Sequence, residues 1–224
     1  MASREPRGWY LAGEVGRLAG TSGETIGQWA RRGYISSSQS IGVPRVYSFQ
    51  DVAEAMVVHE LLERGLTHRE IRRAIRNLRQ RFGDWPLLTA PIATTDMRRV
   101  FGADAKEFLL LLEIGDTQVD AVHGASTQFM LNLSLGLRAV TKLLRRGGWA
   151  VKDLPHVQSI EVDPDRLSGR PTIRSRRIPA DKVAILAQTS DGRQSLESDY
   201  RLSAKQIEDA VRWYGAVSAY EKAA

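Results

Sequence analysis

Gln28, Arg31 and Arg32 are the side chains best suited to grip or read a polyanion. They fall on one face of a single short stretch, Thr21 to Arg32. An amide can donate to and accept from an adenine edge at once, and a guanidinium forks onto guanine or phosphate. Thr21 and Glu24 have capping-box spacing, in which a hydroxyl takes an N3 amide and a carboxylate reaches back. Ile26, Trp29 and Ala30 make one apolar stripe, and Gly33 follows, the residue most able to take the left-handed turn that ends a helix. The stretch predicts a short amphipathic helix with a basic outer face, of a size that a DNA major groove admits. An ordinary surface helix would show the same pattern. A second cationic set, Arg170, Arg174, Arg176 and Arg177, reads as a solvated loop or a second DNA contact. Nothing has the spacing of a catalytic set. His59, His68, His123 and His156 are scattered without metal-ligand spacing. Asp163, Asp165, Glu197 and Asp199 read as turn and helix-end residues, and neither a Gly-rich phosphate loop nor a nucleophile elbow is present. No enzyme activity, catalytic residue, cofactor or metal is expected.

The totals narrow the class. The 224 residues suffice for one large or two small domains, and the absence of cysteine excludes disulfides, thiolate metal sites and thiol catalysis. No run approaches the length of a membrane helix, and MASREPRGWY lacks the apolar core of a signal peptide, so a cytoplasmic protein without membrane contact is expected. The net charge of +6 is unevenly placed: residues 1–83 hold 13 Arg against 8 acidic residues, whereas 84–154 balance and 155–224 nearly so. An arginine excess confined to one end points to an N-terminal module that faces a polyanion.

The elements that must hold these residues follow in order. Tyr10 to Ala19 reads as a helix with Leu11, Val15, Leu18 and Ala19 inward, closed by Gly20. With the Thr21–Arg32 helix so close behind, the two make a helix-turn-helix. Tyr34 to Tyr47, polar and marked by Gly42 and Pro44, suggests a two-stranded wing. Ser48 with Asp51 opens another helix, lined inside by Val52, Ala55, Met56, His59, Leu62 and Leu66 and ended by Gly65. Thr67 and Glu70 cap the next, whose inner stripe is Ile71, Ala74, Ile75 and Leu78. Its outer face carries Arg69, Arg72, Arg73, Arg76 and Arg79, a ladder along phosphates or a solvated face.

Residues 84–154 form a second unit. Leu87 to Ala93 is expected extended, and Glu107–Ile114 with Thr117–Val122 is expected to form a hairpin through Gly115–Asp116. Ser126 to Arg146 is expected to be one long helix, buried as core or in a dimer seam, and Trp149–Pro155 a linker or edge. Residues 155–224 form a third unit: a strand at Val157–Val162, helices at Ala180–Gln188 and Ser195–Tyr200, and a last helix opened by Ser203 and Gln206. The apolar stripe of that last helix is Ile207, Ala210, Val211, Tyr214 and Val217. The whole reads as α+β and mainly α: a winged helix-turn-helix, a small central antiparallel sheet with a long helix, and a C-terminal helical domain.

Over residues 9–80 the pattern resembles the winged helix-turn-helix of the MerR family. The residues that carry it are Tyr10, Leu11, Glu14, Val15, Leu18, Gly20, Ser22, Thr25, Ile26, Trp29, Gly33, Tyr34, Ile35, Arg45, Tyr47, Ser48, Asp51, Val52 and Gly65. The resemblance implies that Thr21–Arg32 is the recognition helix and that Arg45 is a wing residue holding a phosphate. Thr21, Ser22, Glu24, Thr25, Gln28, Arg31, Arg32, Tyr34, Arg45 and Tyr47 are then the expected DNA-binding residues. The chain departs from the family at Gly27 and Gln28, where an Arg and an aromatic are usual. It departs again at Pro86 and Pro91, which stop the long dimerisation helix such regulators carry. Cysteine-based metal or redox sensing is absent with the cysteines.

Residues 157–218, with GRPTIRSRRIP and later LSAKQIEDAVRWY, resemble a domain of unknown function that is paired with PIN-like toxins. Ser175 and Arg176 stand where that domain usually has Gly and Thr. A MerR-like head joined to it is similar to VapB-type antitoxins. The resemblance implies an antitoxin and autorepressor, dimeric on double-stranded operator DNA, that neutralises a PIN-like metal-dependent ribonuclease toxin. Arg170, Arg174, Arg176 and Arg177 would then plug an acidic toxin site. Two other readings stay open: a regulator whose central sheet senses a small ligand, and an interaction adaptor without DNA binding.

Overall fold

The computed structural model describes residues 5–63, 65–89, 92–95, 108–111 and 137–221. The architecture is mainly helical, with two small antiparallel pairs of strands. Helices α1 (Ala12–Ala19) and α2 (Gly23–Arg32) form the helix-turn-helix. Their crossing is closed by small residues: a Cβ on Gly16 would stand 2.7 Å from the Thr21 carbonyl oxygen. Gly20 and Gly33 end the two helices at φ of 80° and 77°, in the left-handed region. Two details differ from the sequence reading. The N-cap of α2 is Ser22, not Thr21, because Thr21 already belongs to the turn and donates its N–H to Gly16. Leu11 is not inward: it precedes α1 and is 46% exposed.

The wing follows as a narrow loop in which Ser40 pairs with Val46, while Tyr10 pairs with Tyr47 at its base. Helix α3 (Phe49–Glu63) is the central pillar. It is buried on nearly every side, so Asp51, Glu54 and Glu60 are inside along with the expected apolar face. Helix α4 (His68–Phe82) starts at the Thr67–Glu70 capping box and buries Ile71, Ile75 and Leu78.

In the middle region the expectation of an extended Leu87–Ala93 is corrected at its start, while Ile92 and Ala93 at its end are strand. Pro86–Thr89 is a short helix, α5, whose Leu87 and Leu88 are buried. Proline suits a first helical position, where no N–H is needed, so Pro86 starts an element there as well as stopping one. Strand β1 (Ile92–Thr95) pairs antiparallel with β2 (Phe108–Leu111), Ile92 opposite Leu111. The expected second hairpin strand, Thr117–Val122, and residues 126–136 of the expected long helix lie outside the described residues. Helix α6 (Leu137–Arg145) buries Val140 and Leu144 and packs on α3. Where a linker was expected at Trp149–Pro155, a short helix α7 (Ala150–Asp153) stands instead, with Trp149, Ala150 and Val151 buried.

The C-terminal region holds β3 (Ile160–Glu161) paired with β4 (Thr172–Ile173), then α8 (Ala180–Leu186), α9 (Ser190–Ser198) and α10 (Ala204–Ser218). The β3 strand is much shorter than Val157–Val162. The core stripe of α10 runs through Ile207, Ala210, Trp213 and Val217, leaving Val211 at the surface. The buried Trp213 indole N–H donates to the Gly147 carbonyl at 2.8 Å. Among the described residues no helix is long and apolar enough to cross a membrane.

Candidate nucleic-acid interface

The outer face of α2 is fixed by what its inner face buries. Ile26 and Trp29 lie in the core, which leaves Glu24, Arg31 and Arg32 exposed and Thr25 and Gln28 half-buried. Ser22 caps the helix by accepting the Thr25 N–H at 3.1 Å, and its hydroxyl lies 2.9 Å from that of Thr25. Gln28 donates to Glu24 at 3.3 Å, a contact at the long end of the hydrogen-bond range. Arg31 and Arg32 make no ion pair among the described residues. The Arg31 guanidinium leans back over Gly27, within 3.5 Å of where a Cβ would stand.

The remaining expected residues divide. Thr21 sits half-buried in the turn. Arg45 is half-buried at the wing base and donates to Ser37 at 3.3 Å. Tyr34 and Tyr47 are 4% and 0% exposed and belong to the core, not to the surface that a duplex would touch. Burial raises the Tyr47 hydroxyl above its ordinary range, with the Arg45 charge pulling the other way. On α4, Arg69, Arg72, Arg73 and Arg76 are exposed. Arg79 is not part of that outer ladder, because its Nε and Nη2 atoms are buried.

The positioning group that sequence reading underrated is Asp51, expected as a helix start and as one of the residues that carry the MerR resemblance. One carboxylate oxygen accepts the Ser38 N–H and hydroxyl at 2.8 and 2.6 Å and the Ser48 N–H at 2.8 Å. The other accepts the Trp85 indole at 2.8 Å. One buried side chain thus ties the wing to the central helix and to the segment before α5. The Ser48–Asp51 spacing was the available signal; its long-range partners are not visible in the sequence.

The second cationic set does not act as one group. Arg170 is held by Asp181 at 2.6 Å, and Arg176 reaches the Tyr200 and Arg201 carbonyls at 3.4 Å. Arg174 and Arg177 are exposed and have no ion-pair partner among the described residues. No cluster of three or more His, Asp or Glu able to hold a metal occurs among the described residues.

The two ends of the molecule are joined. The Trp9 N–H donates to the Ser168 carbonyl and the Trp149 N–H to the Leu18 carbonyl, each at 2.7 Å. Trp149 lies against Gly20 of the helix-turn-helix, and the Lys152 ammonium stands over its ring at 4.2 Å while pairing with Glu60 at 2.9 Å. Arg7 pairs with Asp165.

Comparison with known proteins gives one match towards each end of the chain. Residues 10–78 match the model for the MerR HTH family regulatory protein, and residues 160–214 match that for a protein of unknown function, DUF433. A stretch of 52 residues is 40% identical to the uncharacterized protein Rv2308 of Mycobacterium tuberculosis. That match takes in 23% of this chain and 22% of Rv2308, so the chain spans about a fifth of that relative's length. The fold resembles the crystal structure of Rv2018 from Mycobacterium tuberculosis, with a TM-score of 0.53 at 16% identity, over 91% of this chain and 96% of that one. The chain therefore carries a MerR-family helix-turn-helix domain at its N-terminal end and a DUF433 domain at its C-terminal end.

Proposed function

We propose that this chain is a DNA-binding transcriptional regulator that represses its own operator as a homodimer and acts as the antitoxin of a PIN-like ribonuclease. The observation that carries the DNA half is the outer face of α2. Arg31 and Arg32 are exposed there without ion-pair partners among the described residues, beside Gln28 and on a helix whose other face is locked in the core. The exposed arginines of α4 supply further phosphate contacts. Binding of the chain to its own upstream duplex across a salt series tests this. Log affinity should fall steeply with log salt, and Arg31→Ala or Arg32→Ala should lower the slope by about one. Equal affinity for upstream and random duplex would sink the operator reading.

The antitoxin half rests on the resemblance stated above and on Arg174 and Arg177, two guanidiniums on a loop with no ion-pair partner among the described residues. A guanidinium placed among metal-binding carboxylates would take the place of the metal. Co-purification with the product of an adjacent gene tests the partnership, and Arg176→Glu with Arg177→Glu tests the plug. Inhibition that survives both charge reversals would count against it.

A further inference from the structure

Between the last turns of α6 and the β3–β4 pair lies an open cavity of about 790 Å³. Its walls carry Lys142, Arg145 and Arg146 from α6 and its C-terminal end, Arg174 from the turn after β4, and Glu161 and Asp163. Of the two acidic members Glu161 is paired with a cation, and Asp163 keeps its charge but is outnumbered by the cations. Glu161 pairs with Arg166 and accepts the Ser175 N–H at 2.8 Å; Asp163 accepts the Asp165 N–H at 3.1 Å. Arg146 gives one N–H to the Pro155 carbonyl at 3.3 Å. Lys142, Arg145 and Arg174 have no ion-pair partner among the described residues. Cations at the end of a helix are favoured by its dipole, which accounts for Arg145 and Arg146. It does not account for Arg174, which lies in the turn after β4 and lines the same cavity.

We propose that this cavity binds a small, multiply charged anion of the diphosphate class, free or carried by a nucleoside. Three cations that line one cavity without an ion-pair partner among the described residues ask for more than the single charge of one carboxylate. A concave space of this size falls in the range of small-ligand sites. A DNA duplex is convex and could touch only its rim. The wall of the site is tied to its neighbours: the Arg145 carbonyl accepts the Val162 N–H at 2.8 Å, and just past it the Gly147 carbonyl accepts the Trp213 indole N–H. The site also adjoins the seam with the helix-turn-helix, since Gly148 lies against Leu18.

Titration calorimetry on the full chain at low salt tests the site without DNA or toxin, so its outcome is independent of the function proposed above. The probes are inorganic pyrophosphate, ADP, a hexaglutamate peptide and a short random duplex. The expected result is saturable, near one-to-one binding of pyrophosphate, ADP or both. That binding should weaken about tenfold or more in Lys142→Glu and in Arg174→Ala. Both side chains are exposed, and thermal melting matched to the parent chain shows that each variant is folded. Tighter binding of ADP than of pyrophosphate assigns a nucleotide; equal binding assigns the diphosphate alone. No heat with either probe at millimolar concentration overturns the proposal. So does binding that both variants retain, or variant-sensitive binding seen only with the peptide or the duplex.

Discussion

Glu54 is fully buried on the central helix, and burial pushes its carboxyl up to about 8. One oxygen accepts the Leu87 N–H at 3.0 Å, which favours the charged form but only partly offsets the burial; nearby Asp51 opposes ionisation and Arg79 favours it. A carboxyl raised in the fold holds its proton there and loses it when the chain unfolds. Its contribution is therefore complete below its ordinary value and is lost as pH rises towards 8. Stability should fall across that interval by at most about 1.4 kcal/mol per pH unit. Glu54→Gln keeps an acceptor for Leu87 and removes the titration. Its urea-unfolding free energy should vary less between pH 5 and 8 than that of the parent chain. An unchanged profile would place the pH dependence elsewhere. On α2, Gln28→Ala should cost about 1–3 kcal/mol of operator binding if the amide reads a base, and little on random duplex. Competition binding with the two duplexes separates those outcomes.

At the scale of elements, α2 depends on its cap as much as on its stripe. Ser22→Ala leaves the Thr25 N–H without its acceptor and should cost about 1 kcal/mol of stability, read by thermal melting. The exposed face of α4 gives a different expectation. Arginine to alanine at Arg72 and Arg76 should leave the melting temperature nearly unchanged, because alanine favours helix and these side chains are exposed. The same change should reduce the salt slope of DNA binding by about two if both touch phosphate, and by nothing if they are merely solvated. The Asp209 carboxylate on α10 has an anchoring role. Burial works against its charge, but N–H donors from Gln158 and Ser159 and the Lys205 ammonium more than compensate and hold it below the usual carboxylate range. It fixes the approach to β3 and so one wall of the anion-sized cavity.

At the scale of the whole molecule, the seam between the two ends determines how they communicate. Gly148 has φ of +78°, and a Cβ there would stand 2.4 Å from the Leu18 carbonyl oxygen. Gly148→Ala must therefore move backbone in α1 or strain its own turn, and should cost more than ~1 kcal/mol. Chemical denaturation followed by tryptophan fluorescence measures it, and a loss below that would mean that the seam yields freely. His59 belongs to the same seam, edge-on to Trp149 at 4.5 Å, and burial lowers its affinity for a proton. Trp149, expected in a linker, is packed here between Gly20 and His59.

Short-range signals were legible because they are made within four residues. The Thr67–Glu70 and Ser203–Gln206 caps, the glycine ends at Gly20 and Gly33, and the Ile26–Trp29 stripe all follow from hydrogen bonds and side-chain spacing inside one helix. So does the basic character of the outer face of α2. Burial and charge pairing are settled by partners far along the chain, and there the tertiary structure decided. It placed Tyr34, Tyr47 and Trp149 inside, turned Arg79 inward and bound Arg170 to Asp181. It also brought Lys142, Arg145 and Arg174 to line one cavity. Sequence periodicity records which residues share a face of one element, but not which distant element will cover that face or neutralise its charge.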